Sequence, residues 1–243
     1  MKSLITSTQQ FSGIWGRRQI LMLAIILLFA SVSPAFQGLH PVSGRQIAQV
    51  MGIGGASWLE RNEREAEENV DGALDELTAR GFLKTGMTAA EVGAGTGYVA
   101  LRIAKRVGPS GKVYGNDIQP QMLDLFKQNA AKAGLKNTET ILGSVSDPKL
   151  PAAQMDIIVL VDVYHEFSEP QKMLAGIRGA LKPTGKLVQF EYRKEDPAVP
   201  IREDHKMSVA VAKKEVEAEG FHLEQVIETL PRQHILVYSK NIQ

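Results

Sequence analysis

The run Glu91-Val-Gly-Ala-Gly-Thr-Gly97 constrains this chain more than any other stretch of it. Three glycines alternate with other residues, a carboxylate stands two places ahead of the first, and an amphipathic segment follows. The pattern predicts a buried strand, a tight turn and the start of a helix. Glycine is demanded where φ must be positive or where a ligand lies against bare backbone. The helix N-terminus beyond the turn offers free N–H groups and a positive dipole end. The spacing also separates ligand classes. A dinucleotide fingerprint, G-x-G-x-x-G, has its third glycine one place later than Gly97. An acid ahead of the first glycine sits badly beside a pyrophosphate and suits a ligand that carries positive charge.

Downstream, strand and helix patterns alternate. Strands are predicted at 88–92, 112–117, 138–142, 156–161 and 186–192, and a closing pair at 221–228 and 234–239. Helices are predicted at 98–107, 119–133 and 208–219, with another running to Leu181 from a capping box at Ser168-Glu-Pro-Gln171. Lys182-Pro-Thr-Gly185 reads as a turn. Such alternation means a doubly wound, mostly parallel α/β sheet. Ahead of it, 58–80 reads as one amphipathic helix with a solvated acidic face, and 37–56 as a linker.

A chain of 243 residues, 44% hydrophobic and 23% charged with net charge +1, suits one globular domain plus an extra segment. The near-neutral balance gives no electrostatic footprint for nucleic acid. Cysteine is absent, which excludes disulfides, thiolate metal sites and a Cys nucleophile. The five histidines fall into no H-x-x-x-H or H-E-x-x-H motif, so no metal set is expected. Residues 1–36 have the layout of a signal peptide: Lys2, Arg17 and Arg18, an apolar run from Ile20 to Ala30, then small residues at Ser33 and Ala35. The alternative is an uncleaved membrane anchor, so the domain is expected to be exported or held at a membrane.

In open α/β sheets ligands lie at the carboxyl ends of the strands. Those ends supply the candidates. Asp117 closes the second strand about 20 residues past the glycine turn, where a carboxylate accepts ribose hydroxyls. Asp147, beside Val145 and Ser146, follows the third strand and is a candidate for an adenine amino group. The fourth strand runs into Val161-Asp-Val-Tyr-His-Glu-Phe167, which makes Asp162, Tyr164, His165 and Glu166 candidates for substrate contact or proton acceptance. The fifth runs into a long connection holding Glu191, Arg193 and His205.

Taken together, E-V-G-A-G-T-G, Asp117, D-P-x-L-P, V-D-V-Y-H-E-F and L-K-P-T-G resemble the class I S-adenosylmethionine (SAM) methyltransferases, in the small-molecule branch that includes quinone-biosynthesis enzymes. Thr184 stands where that branch usually has a glycine. The resemblance covers 81–243 and implies a Rossmann-like, seven-stranded sheet with SAM across the glycine turn. It implies cofactor contacts at Glu91, Gly93, Ala94, Gly95, Gly97, Asp117, Ile118, Ser146, Asp147 and Asp162, and a small-molecule methyl acceptor. His165, Asp162 and Glu191 are the candidates for catalysis; Tyr164, Glu166, Arg193 and His205 are those for substrate. Two other functions fit a glycine turn of this kind: a nicotinamide-dependent oxidoreductase and a SAM-binding protein without transferase activity.

Overall fold

The computed structural model describes residues 38–241, so the leader expected at 1–36 lies outside the described residues. Eight strands form one sheet: β1 Thr88–Val92, β2 Lys112–Asp117, β3 Thr138–Leu142, β4 Met155–Val161, β5 Leu181–Arg193, β6 Lys206–Met207, β7 Phe221–Ile227 and β8 Gln233–Lys240. Seven run in the order β3-β2-β1-β4-β5-β8-β7, and the two-residue β6 pairs with β5. β8 alone among the strands is antiparallel to its neighbours β5 and β7. Strand order reverses between β1 and β4, which is where a doubly wound sheet opens a crevice.

β4 reads Met-Asp-Ile-Ile-Val-Leu-Val, and its apolar residues are buried on both faces. Two apolar layers cover the sheet. One gathers Leu74, Leu77, Ile103 and Phe126, the other Tyr164, Leu174, Ile177 and Tyr238. The helices supplying them are α3 Val70–Ala79, α4 Ala100–Val107, α5 Pro120–Lys132, α6 Pro170–Ala180 and α7 Val209–Glu217. α5 and α6 each begin at a proline, whose missing N–H costs nothing at a first turn.

Several local expectations are corrected. The helix expected over 58–80 is broken into α1 Ala56–Leu59, α2 Arg64–Glu68 and α3. The chain turns at Asn69, φ 52°, a left-handed conformation that Asn tolerates. Its acidic face is not wholly solvated either. Glu68 is buried, and takes hydrogen bonds from Arg61 (2.7 Å), Arg64 (2.8 Å) and the Tyr192 hydroxyl (2.9 Å). The residue that caps α6 is Glu169, and no side chain caps the helix, so the box at Ser168 does not form. The segment 182–185 is not a turn ahead of the strand. It lies inside β5 as a bulge, since pairing with β4 passes from Met155↔Leu181 to Ile157↔Lys186.

The linker expected over 37–56 is packed. His40 Nε2 lies 3.1 Å from the Tyr164 hydroxyl, and Arg45 grips both oxygens of buried Glu215 at 3.1 Å each. The Ala48 N–H donates to the His165 carbonyl at 3.0 Å. This strap closes one side of the crevice.

Candidate active site

A cavity of about 500 Å³ opens at the β1/β4 switch point, within the range of small-molecule sites. Gly93 and Gly95 line it from the turn after β1, Asn116 to Gln119 from the end of β2, and Val161 to Val163 from the end of β4. His165, Glu166 and His205 also line it, the strap adds Met51, and α1 adds Trp58 and Leu59.

All three turn glycines have positive φ: 76° at Gly93, 52° at Gly95 and 90° at Gly97. Only two of them face the cavity. Gly97 is required for packing, since a Cβ there would come 2.6 Å from the Phe126 ring. Asp117 ties the loop to the next strand. Its Oδ2 accepts the Gly95 N–H and its Oδ1 the Gln119 N–H, each at 2.9 Å. A carboxylate has about four acceptor positions, so these two bonds leave Asp117 able to accept from a ligand in the cavity it lines.

A family profile described as "Methyltransferase domain" matches residues 83–233, more than half of the chain. The chain belongs to the methyltransferase-domain family. Similar curated proteins include a protein-L-isoaspartate O-methyltransferase of Pyrococcus horikoshii, 36% identical over 106 residues, and the ubiquinone/menaquinone biosynthesis C-methyltransferase UbiE of Ralstonia pickettii, 28% identical over 116. The matches cover 44% and 48% of this chain but only 44% and 47% of those proteins. Among solved structures, a SAM-dependent methyltransferase from Aquifex aeolicus superposes with a TM-score of 0.72 at 27% identity, covering 78% of this chain and 98% of that one. The fold is also shared with the [4+2]-cyclase SpnF, at a TM-score of 0.60 and 18% identity, over 71% of this chain and 82% of that one. SAM is the cofactor of this methyltransferase family.

The residues present fit that cofactor. Gly93 and Gly95 bring bare backbone to the cavity wall, where a Cβ would meet Val163 at 2.4 Å and Leu59 at 2.7 Å, and three carboxylates, Asp117, Asp162 and Glu166, also line the space. Asp162 is held at φ 49°, in the left-handed region. Its Oδ2 accepts from Gln233 at 2.6 Å, while its buried Oδ1 has no partner. Burial, reinforced by nearby Glu68, raises its pKa well above the ordinary carboxylate value. A cation brought against Oδ1 would offset that cost.

Not every predicted contact reaches the cavity. Glu91 turns the other way, where its Oε2 accepts the Ala100 N–H at 2.6 Å and closes the start of α4. Burial raises its pKa to about 8. Ala94 is a buried turn residue that donates to the Asn116 carbonyl. Asp147 spends its side chain on the Lys149 N–H at 2.7 Å, so Val145, not Ser146 or Asp147, forms the cavity wall there. Ile118 does line the cavity. The Tyr164 side chain lies in the core beneath, and Arg193 is held by Glu228 and the Leu230 carbonyl outside the site.

A second group of cavity residues is built around His165. Its Nδ1 lies 2.6 Å from Glu191 Oε2, and its buried Nε2 has no partner. Glu191 itself does not line the cavity; it orients the ring and also accepts from Gln189 at 3.2 Å. Burial disfavours a charged ring, yet Glu191 and Glu166 outweigh it and raise the His165 pKa. The His205 ring sits 5.0 Å away, with its own pKa lowered by burial. Burial also pushes Glu166 up to about 7. In the neutral ring with Nδ1–H donating to Glu191, Nε2 presents a lone pair. It is equipped to take a proton or to bind a cation. Sequence reading missed Arg64, Tyr192 and the strap residue Met51, whose positions depend on contacts between distant segments.

Proposed function

We propose that this protein transfers the SAM methyl group to a small, largely apolar acceptor bound against His165. The observation that carries this reading is one cavity lined by two differently equipped groups of residues. The glycine turn and Asp117, joined by the Gly95–Asp117 hydrogen bond, form one, and His165, Glu166 and His205 form the other. Gly93 and Gly95 accommodate the cofactor, Asp117 accepts its ribose hydroxyls, Val145 and Ile118 flank its base, and Asp162 faces its positive end. When bound, SAM supplies a methyl group on a sulfonium, open to in-line displacement by a nucleophile. The chain's own residues position and desolvate. Met51, Phe167 and Ile201 give the cavity an apolar lining, and positioning and desolvation of this kind supply much of the barrier reduction in methyl transfer.

The test is to incubate the purified full chain with methyl-labelled SAM and a panel of apolar phenols, quinols and amines. Label in an acceptor, lost in His165→Ala, supports the reading. SAM binding without transfer to any member would favour the non-catalytic SAM-binding alternative. We also propose that residues 1–36 export or anchor the domain. A mature chain beginning at Phe36 supports export, and an intact Met1 in the soluble cytosolic fraction contradicts both.

A further inference from the structure

We propose that His165, His205 and Glu166 form a binding site for a divalent transition-metal ion of the zinc class, open to the cavity. The two histidines come from different connections: His165 lies on a 3-10 turn at Tyr164–Glu166 after β4, and His205 on another at Glu203–His205 before β6. Folding brings them together with a carboxylate. One donor atom from each of the three residues lies within 4.8 Å of the other two. His205 Nε2 is 3.8 Å from Glu166 Oε1.

The arrangement of the rings says more than their proximity. Each is tied through Nδ1 to a carboxylate, His165 to Glu191 at 2.6 Å and His205 to Asp204 at 3.0 Å. That fixes Nδ1 as the protonated nitrogen and leaves Nε2 to coordinate. Metal-binding histidines characteristically donate their other N–H to a carboxylate, which orients the ring and raises its basicity. The His165 Nε2 atom is buried without a hydrogen-bond partner although its residue is only 1% exposed. An orphaned buried nitrogen is costly, and a cation would relieve it.

The turns are anchored independently of any ion. The Ala48 N–H and Arg45 Nη1 both donate to the His165 carbonyl at 3.0 Å, and the Met51 N–H donates to Glu166 Oε1 at 3.3 Å. The donor set decides the ion. Two imidazoles and one carboxylate suit zinc and its neighbours, whereas magnesium and calcium prefer oxygen throughout. Three protein ligands leave a fourth position facing the cavity, the pattern of reactive rather than structural zinc. Bonds of about 2.0–2.2 Å require the three donors to draw inward by side-chain rotation. If the methyl-transfer reading holds, that fourth position takes the acceptor oxygen. Coordination there lowers a hydroxyl's pKa, and its proton leaves to solvent water.

The experiment uses the full chain, free of any affinity tag and stripped with a chelator. It is titrated with zinc by equilibrium dialysis and with cobalt(II) by visible absorption. One bound equivalent is expected, with cobalt bands of a four- or five-coordinate site. His165→Ala and His205→Ala should each abolish it, and Glu191→Gln should weaken it on the order of tenfold to a hundredfold. Circular dichroism establishes that each variant is folded. Absence of a bound equivalent, or binding that survives His205→Ala in a folded variant, overturns the site. A parallel titration with S-adenosylhomocysteine separates the two ideas. Metal bound by a chain that ignores the nucleoside leaves the site standing and removes the methyl-transfer reading.

Discussion

Glu191 Oε2 stands 2.6 Å from His165 Nδ1, with both side chains closed off from solvent. The carboxylate comes from β5 and the ring from the turn after β4, so the pair joins two adjacent strand ends. Its effect is directional: one nitrogen is occupied, and the other is turned on the cavity.

Breaking this pair from one side should be costly. Glu191→Ala strands a buried imidazole, and removal of one partner of a buried pair costs about 3–5 kcal/mol. The double variant Glu191→Leu/His165→Phe should be more stable than Glu191→Ala, because the stranded imidazole is then gone, while the Gln189 amide loses its bond to Glu191 in both variants. Urea unfolding of the variants measures this. Equal stability losses in both would contradict the account.

Asp117→Ala should weaken S-adenosylhomocysteine binding by roughly 1.5–3 kcal/mol, the value of a hydrogen bond to a charged group. Calorimetry with the folded variant reads it directly. Unchanged affinity would remove Asp117 from the ribose position.

The glycines of the loop region divide into two kinds. A Cβ on Gly115 would lie 2.3 Å from the Phe126 ring, but φ there is not positive. Gly97 meets the same ring at 2.6 Å and also has φ 90°. Phe126→Leu should therefore restore much of the stability lost in Gly115→Ala and little of that lost in Gly97→Ala. Melting temperatures of the two double variants compared with their single parents decide it.

Glu91 gives a pH dependence. Its pKa rises on folding from 4.5 to about 8, chiefly through burial. The folded state thus holds the proton more tightly than the unfolded one. The stability this contributes is fully present below pH 4.5 and is lost as pH climbs toward 8. Glu91→Gln cannot titrate and should flatten the decline in that window. An unchanged slope would contradict the assignment.

The order of elements was legible because it rests on local patterns. The boundaries expected for β1, β2 and β3 are those found, since each is a short segment bounded by glycine or polar turns. Part of the candidate cavity wall was equally legible: Gly93, Gly95, Asp117 and Asp162 line it, as do Ile118, His165, Glu166 and His205. Glu91 bonds to Ala100 away from the cavity lining because α4 begins at Ala100 rather than Tyr98. The metal-like cluster escaped because His165 and His205 share no motif and meet only after β5 and its long connection fold back. The strap reads as a linker in sequence because His40 and Arg45 look solvated until Tyr164 and Glu215 are placed against them.

The most direct measurement is calorimetric titration of the full chain with S-adenosylhomocysteine and, side by side, with NADH. The account predicts one-to-one binding of the nucleoside thioether, weakened in Asp117→Ala, and no heat with NADH. Binding of NADH with none of S-adenosylhomocysteine would contradict it.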